Sequence, residues 1–202
     1  MNHAVGTESH VPGSRLPVEV SGHARVPVRL GGLHVSNERV VLDTVLGSCI
    51  SACIYDEKMA LGGMNHFMLP ESADDRNIMS ARYGVYAMEL LLNELMKLGG
   101  TRARFKAKIF GGGHVLRIRK NLSGVPQRNI EFVTRFLEIE RIPVVGKDVG
   151  GYHSRRILFY PKTGDVMLRR LGQAEDEQTI RIESEYLRTL RNQKLDGDAT
   201  LF

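Results

Sequence analysis

The pattern between residues 40 and 69 most constrains the fold of this chain. Three short runs of apolar and β-branched residues, punctuated by glycine, follow one another there, at Val40–Leu46, Ile50–Tyr55 and Gly62–Leu69. Runs of this length bounded by turn residues predict strands, and Asp56–Lys58 supplies the turn before the last run. We therefore expect a compact β unit in which the second and third strands are neighbours.

The periodicity changes after this β unit. Apolar residues at three- and four-residue spacing predict a helix over residues 80–98, which Ser80 would cap and Gly99–Gly100 would end. Alternation of basic with apolar residues then predicts a strand with one basic and one buried face. Its basic residues are Arg102, Arg104, Lys106 and Lys108. Three consecutive glycines at residues 111–113 predict a tight turn at the end of this strand.

The rest of the chain continues the mixture of helices and strands. A second helix is predicted over Asn129–Glu140, and strands over Pro143–Val149, Arg156–Tyr160 and Val166–Leu171, the last two forming a hairpin. Strands interleaved with two helices indicate an α/β fold, with an α+β-like order of elements, rather than a regular doubly wound sheet.

These patterns divide the chain into three segments. Residues 1–24 lack periodicity and predict a mobile tail, residues 25–171 form the domain, and residues 172–202 form an appended helix and tail. The appended helix begins with an acidic trio, which suits the positive end of a helix dipole. Its apolar residues are Ile182, Tyr186, Leu187 and Leu190.

The composition restricts the class of protein. Of 202 residues, 42% are apolar and 25% are charged, which is typical of a globular chain and not of a disordered one. No apolar run reaches the roughly 18 residues that a membrane span needs, and residues 1–6 do not resemble a secretory signal. Two cysteines are too few for a disulfide framework, so we expect reduced thiols in a cytoplasmic protein.

The charge of the chain bears on its partners. A net charge of +5 suits an acidic partner. Nucleic acid is disfavoured as that partner, because the chain has no tryptophan and only 6% aromatic residues to stack on bases. We therefore expect the basic strand face to meet solvent or another protein, together with Arg117, Arg119 and Lys120.

The densest group of reactive residues surrounds Cys49. Gly47 and Ser48 precede the thiol in a turn whose backbone N–H groups can point at a substrate carbonyl, and His66 follows seventeen residues later. Adjacent strands could bring the imidazole to the thiol, which it would then deprotonate. The alternative is that Cys49 is a buried small hydrophobe and His66 an ordinary core or surface residue.

Other kinds of site have less support from the spacing. Cys49, Cys53, His66 and His114 do not have the spacing of structural zinc ligands. The glycines at residues 111–113 are not followed by the Lys-Ser/Thr pair of a phosphate loop. We therefore predict neither a zinc centre nor a phosphate cradle.

Six motifs follow one another between residues 38 and 171, namely Gly47–Cys49, Gly63–Pro70, Lys108–Gly112, Arg128–Asn129, Asp148–Gly151 and Gly164. In residue type and order they resemble the chemoreceptor glutamine deamidase family, CheD. A match spread over this length is more specific than a lone motif.

The resemblance implies a three-layered α/β domain, similar to the bacterial toxin deamidases, with a Cys-His hydrolase site. By this resemblance Cys49 is the nucleophile, His66 the general base, and Thr44 or Asp43 the third catalytic residue, with Gly47 and Ser48 supplying backbone N–H groups to the oxyanion. The implied activity is that of a protein-glutamine glutaminase, converting glutamine side chains of methyl-accepting chemotaxis receptors to glutamate. Neither a metal nor an organic cofactor is implied.

The resemblance also implies partners. Receptor methylation helices are rich in glutamate, and we hypothesise that the four basic residues of the alternating strand steer the enzyme toward them. Family members also dock a chemotaxis phosphatase, CheC. A docking protein that has lost catalysis and a small-molecule amidase that uses the same Cys-His pair are the alternative functions.

Overall fold

The computed structural model describes residues 22–69, 78–115 and 124–195. Within these residues the chain forms nine strands, which are β1 (Ala24–Pro27), β2 (Leu33–Ser36), β3 (Val40–Leu46), β4 (Ile50–Asp56), β5 (Leu61–Asn65), β6 (Lys106–Gly111), β7 (Val144–Val149), β8 (Arg155–Phe159) and β9 (Val166–Arg170). The described helices are α1 (Ile78–Lys97), α2 (Val125–Ile139) and α3 (Gln173–Leu195), with a short 3₁₀ helix at Arg102–Arg104.

The strands form two sheets. A four-stranded sheet has the order β1-β3-β8-β9, and a five-stranded sheet has the order β2-β5-β4-β6-β7. The pairs β1–β3 and β6–β7 are parallel, and the other neighbours are antiparallel. Because β3 belongs to one sheet and β4 to the other, the short turn between them crosses from sheet to sheet.

The core has two parts, one on each face of the five-stranded sheet. Cys53, Tyr55 and Met64 face the four-stranded sheet, where Leu42 and Phe159 meet them. The opposite face packs against α1 and α2, and its contributors from β4 are Ile50, Ala52 and Ile54. Every residue of β4 is buried for this reason, since a strand covered on both faces has no solvated side.

The architecture therefore has three layers: the four-stranded sheet, the five-stranded sheet, and α1 with α2. This confirms the predicted α/β class and the three-layered single domain. The predicted bounds of β3 are confirmed, and the predicted hairpin of β8 and β9 is observed as an antiparallel pair.

The structure corrects several bounds. The helix predicted from Ser80 begins two residues earlier, so Ser80 lies inside α1 and is not its cap. The helix predicted from Asn129 begins at Val125, because Pro126 lies in its first turn, where a missing N–H costs nothing. β1 and β2 were not predicted as strands, being four residues long and mostly exposed or half-buried.

The basic strand predicted over residues 102–109 is wrong for its first part. Arg102 and Arg104 lie in the 3₁₀ helix, and β6 begins at Lys106. The guanidinium of Arg104 pairs with the buried carboxylate of Asp56 at 2.7 Å. Arg102 pairs with Glu89 at 2.7 Å and also with Glu140. The tail predicted over residues 1–24 lies mostly outside the described residues, as do Arg117, Arg119 and Lys120.

Candidate active site

Cys49 and His66 meet at one end of the neighbouring strands β4 and β5 of the five-stranded sheet. β4 and β5 are antiparallel neighbours, so the residue before β4 lies beside the residue after β5. A bridge between Ile50 and Phe67 continues this pairing. The Sγ atom of Cys49 is 2.8 Å from Nε2 of His66. The adjacency expected from the seventeen-residue spacing is therefore present.

The other ring nitrogen of His66 contacts Thr44 and not Asp43. The hydroxyl of Thr44 lies 2.9 Å from Nδ1 of His66. Asp43 precedes Thr44 on β3, and successive side chains of a strand point to opposite faces. Its carboxylate binds Arg25 at 2.7 Å and Arg156 at 2.7 Å instead. Of the two residues considered for the third position, only Thr44 is in reach of the imidazole.

The tautomer of His66 follows from the hydrogen bonds of Thr44. The Thr44 hydroxyl donates its single proton to the carbonyl oxygen of Val28 at 2.7 Å. It must therefore accept from His66, which places the imidazole proton on Nδ1. Nε2 is then unprotonated and faces the thiol, as a general base for Cys49 requires.

The turn Gly47–Cys49 is held on two sides by hydrogen bonds to its carbonyl groups. The N–H of Gly112 donates to the carbonyl of Cys49 at 2.7 Å, and that of Gly113 donates to the carbonyl of Gly47 at 2.6 Å. From α2, the fully buried Asn129 donates through Nδ2 to the carbonyl of Ser48 at 2.8 Å. With their carbonyls engaged outward, the three residues leave their N–H groups free to converge on one point.

Gly111 shows why this packing needs glycine. Its φ of +117° is unfavourable for other residues, and a Cβ there would lie 2.2 Å from the carbonyl oxygen of Cys49. The triple glycine predicted as a tight turn thus brings backbone directly against the turn Gly47–Cys49.

A carboxylate from α3 occupies the point on which these N–H groups converge. Oε1 of Glu183 accepts from the N–H of Gly47 at 3.1 Å and of Cys49 at 3.2 Å. Oε2 accepts from the N–H of Ser48 at 3.0 Å and from its hydroxyl at 2.6 Å. Glu183 is 2% exposed, and a Cβ at Gly47 would lie 2.9 Å from its Oε1.

Glu183 is not among the residues predicted from the sequence. Ile182 is predicted there as part of the apolar stripe of the last helix, but its side chain is 49% exposed. The buried positions Thr179, Glu183 and Leu187 are spaced at four residues. No local signal in the sequence marks Glu183, because its burial becomes visible only when α3 packs against the turn Gly47–Cys49.

Burial shifts the pKa values of both reactive groups. It raises the pKa of the Cys49 thiol well above its usual range, and the nearby charge of Glu183 raises it further. Burial lowers the pKa of His66 to about 4, which a hydrogen bond to Val28 offsets only in part. The resting pair is therefore a neutral thiol beside a neutral imidazole.

A groove of about 580 Å³ lies between α3 and the four-stranded sheet, with Val28, Thr44 and His66 on one wall and Glu183 and Tyr186 on the other. Cys49 itself is fully buried and His66 is 5% exposed. The groove leads to the imidazole, whereas the thiol has no exposed surface.

The four predicted substrate-binding residues lie away from this groove. Lys106 is opposite Tyr55, near the far end of β4, and Lys108 is opposite Cys53 in the middle of that strand. Arg104 binds Asp56, six residues beyond Ile50, or about 20 Å along the strand. Lys106 pairs with Glu57, and Lys108 lies 5.8 Å from the centre of the Tyr55 ring.

No three His, Cys, Asp or Glu side chains are grouped as metal ligands in the part of the chain that the structure describes. Cys53 is buried between the sheets and forms no disulfide. Among the described helices, none combines the length and apolarity that a bilayer crossing requires.

Comparison with known proteins finds relatives that share one description. Probable chemoreceptor glutamine deamidase CheD 1 of Dechloromonas aromatica is 42% identical to this chain, with 100% of both chains covered. The corresponding protein of Hahella chejuensis is 42% identical over 94% of this chain and 90% of its own. That of Cupriavidus pinatubonensis is 48% identical over 73% of this chain and 69% of its own.

Among solved structures, that of the Bacillus licheniformis hypothetical protein YfiH is similar at a TM-score of 0.37 and 14% identity, covering 59% of this chain and 49% of that one. Residues 68–170 match the family model described as CheD chemotactic sensory transduction. With this match and with relatives of such identity along its whole length, the chain belongs to the CheD family.

Proposed function

We propose that this protein is a protein-glutamine deamidase that converts glutamine side chains of chemoreceptors to glutamate through a thioester on Cys49. The observation that carries the proposal is the contact chain from Thr44 to His66 to Cys49, at 2.9 Å and 2.8 Å, beside three convergent backbone N–H groups. Nucleophile, base, orienting group and oxyanion donors are thus together in one place.

The reaction begins with proton transfer from Cys49 to His66. Because the resting pair is neutral, Nε2 of His66 takes the proton as the sulfur attacks the side-chain carbonyl of glutamine. The carbonyl oxygen becomes negatively charged and accepts from the N–H groups of the turn Gly47–Cys49, an interaction worth about 3–4 kcal/mol per donor in comparable sites. Thr44 keeps the imidazole oriented and its Nδ1 protonated throughout.

Two further steps complete the cycle. The protonated His66 gives its proton to the departing nitrogen, ammonia leaves, and the acyl group stays on Cys49 as a thioester. His66 then takes a proton from water, whose oxygen attacks the thioester and releases glutamate with the thiol restored. Every step uses groups of this chain and water.

The choice of substrate rests on the relatives. Proteins 42% identical over the whole chain are named as probable chemoreceptor glutamine deamidases. These names favour a macromolecular substrate over a small amide. Binding of CheC stays a prediction of the resemblance, and a cytoplasmic location stays a prediction from the two cysteines.

The test is conversion of glutamine to glutamate in a chemoreceptor cytoplasmic fragment, mapped by mass spectrometry. We expect the wild type to convert specific glutamines and Cys49→Ala to convert none. His66→Ala removes the base, and we expect a loss of several orders of magnitude. Thr44→Val keeps the shape but removes the hydroxyl, and we expect a loss of about 10- to 100-fold, since the imidazole can then adopt either tautomer.

The matched control for Thr44→Val is Thr44→Ser, which restores the hydroxyl and should recover most of the rate. Conversion that persists in Cys49→Ala would contradict the proposed nucleophile. Equal rates in Thr44→Val and Thr44→Ser would contradict the orienting role of the hydroxyl.

A further inference from the structure

α3 places a glutamate side chain at the point where the proposed reaction would form one. The carboxylate of Glu183 accepts four hydrogen bonds from the turn Gly47–Cys49, three of them from consecutive backbone N–H groups. N–H groups that converge beside a nucleophilic thiol are the arrangement of an oxyanion hole. Deamidation of glutamine leaves a glutamate there, so Glu183 has the chemical form of the product.

The position of Glu183 is incompatible with a substrate in the site. Its two oxygens take all three N–H groups of the turn, and the side chain is 2% exposed. A glutamine side chain from another molecule would need the same space and the same donors. Cys49 has no exposed surface while α3 is in place, so an incoming polypeptide cannot reach the sulfur.

The attachment of α3 is concentrated at a few side chains. Besides Glu183, the first turn of α3 is held by Glu175, which binds Arg169 at 2.7 Å, and by Asp176, which accepts from the N–H of Ser154 at 2.8 Å. Farther along α3, Ile180 and Leu187 pack against the inter-sheet core, and the hydroxyl of Tyr186 contacts that of Tyr83 on α1. The backbone of α3 makes few close contacts with any strand or other helix, unlike that of α1. Ile182, the apolar residue before Glu183 on α3, is 49% exposed. Because only a few side chains hold α3 beyond its first turn, this part of the helix can leave the site without unfolding the three layers.

We propose that α3 occupies the substrate position of this enzyme, with Glu183 as an internal product mimic, and that α3 must withdraw before a receptor glutamine can reach Cys49. This inference rests on the proposed function for the identity of the substrate. It assigns α3 a regulatory role: the docked helix blocks the site. When the helix withdraws, the rest of the fold stays in place.

Burial of the thiol and the charge of Glu183 both raise the pKa of Cys49. A thiol is far less nucleophilic than a thiolate. Through the charge of Glu183, the docked helix therefore suppresses the reactivity of Cys49 as well as access to it.

The first test measures alkylation of the two cysteines by iodoacetamide in the full-length chain and needs no receptor. Glu183→Ala removes the four hydrogen bonds, and we expect Cys49 alkylation to rise about tenfold or more, the factor that follows from the loss of one charge-assisted hydrogen bond. Cys53 is buried between the sheets and should not change. Glu177→Ala is the matched control, an exposed glutamate on the same helix, and should behave as the wild type.

Three outcomes would overturn the inference. Equal Cys49 alkylation in the two variants would mean that α3 does not cover the thiol. A parallel rise at Cys53 would mean that Glu183 holds the whole fold together. Loss of receptor conversion in Glu183→Ala without faster alkylation would mean that Glu183 takes part in catalysis, whereas we expect conversion to be faster.

A second test asks whether Glu183 lies at the product position itself. In Glu183→Gln the chain presents a glutamine to its own thiol. Attack by Cys49 on the introduced side-chain amide would form an internal thioester and release ammonia, which takes its proton from His66. Water would then restore the thiol and leave glutamate at position 183. We expect mass spectrometry to detect this conversion.

The control is Glu183→Gln combined with Cys49→Ala, in which the amide should persist. An amide that persists with Cys49 present would overturn the assignment of the product position. Because neither alkylation nor self-conversion involves a receptor, these results stand apart from any failure of the receptor assay.

Discussion

α1 and α3 are helices of similar length, 20 and 23 residues, but different forces hold them in place. Four apolar residues of α1 are fully buried against the five-stranded sheet, at Met88, Leu91, Leu92 and Leu95. On α3 the most buried residue is the charged Glu183, and Leu187 is 4% exposed. Apolar burial fixes α1 as part of the fold, whereas α3 combines polar contacts at its first turn and a few apolar contacts with the hydrogen bonds of Glu183, which another carboxylate or amide could replace.

The largest expected effect is the loss of stability when a buried side chain of α1 is shortened. Leu91→Ala leaves a cavity under a closely packed helix, and we expect the free energy of unfolding to fall by about 2–5 kcal/mol. Leu187→Ala should cost about 1–2 kcal/mol, because α3 can settle into the smaller contact. Urea unfolding followed by circular dichroism measures both values. Equal losses would contradict the conclusion that apolar burial stabilises α1 more than α3.

The second effect is the acid sensitivity of the site. The pKa of His66 is lowered from 6.5 to about 4. Between these values the unfolded chain binds a proton that the folded chain does not, so stability is lost as the pH falls from about 6.5 to about 4. The full loss from this residue is about 3 kcal/mol.

Urea unfolding at pH 7 and at pH 4.5 tests this effect in the wild type and in His66→Gln. We expect the wild type to lose more stability than the variant between the two pH values. The same loss in both proteins would show that His66 is not held neutral by burial. Leu91→Ala, on the far side of the sheet, serves as the control and should keep the pH dependence of the wild type.

The smallest expected effect concerns the basic residues far from the site. We keep as a proposal that Lys106 and Lys108 steer the enzyme toward acidic receptor helices. Their combined change to glutamate should weaken binding of a receptor fragment by a few-fold at low salt, an effect that salt would screen. Lys97→Glu on α1 is a suitable control, since its Nζ is also paired, with Glu94 at 2.6 Å. Equal affinities of the two charge variants would contradict steering by the strand.

Arg102 and Arg104 are poor choices for that experiment. Arg104 is the ion-pair partner of Asp56, whose side chain is fully buried. Removing a partner from a buried charge is strongly destabilising. Arg102 joins α1 to the end of α2 through Glu89 and Glu140. These two arginines serve the fold, which a periodic pattern of charges in the sequence does not reveal.

The sequence predicted those parts of the molecule that depend on local patterns. β4 stands out because an apolar run covered on both faces has no polar alternation, and Cys49 and His66 flank neighbouring strands. The choice between Thr44 and Asp43 depended on which of these two successive side chains of β3 points toward His66. The contact of Thr44 with His66 and the pairing of Asp43 with Arg25 and Arg156 show which side chain faces inward.

Glu183 lies beyond the reach of local patterns for a related reason. Its partners are more than 130 residues away in the chain, and helix periodicity identifies apolar stripes rather than a charge that completes a distant turn. Asn129 is a similar case, because its bond to Ser48 joins α2 to the site across 81 residues. Both depend on tertiary contacts that no window along the sequence contains.

The crossing turn between β3 and β4 ties the reactive groups to the spacing of the sandwich. Thr44 extends from one sheet and His66 follows a strand of the other, so their hydrogen bond bridges a gap of about 10 Å between the sheets. Phe159 and Met64 fill that gap as spacers. A bulkier side chain at either position would increase the distance between the sheets and disturb the contact of Thr44 with His66, while leaving each sheet intact. Enzymatic activity therefore depends on the distance between the two sheets.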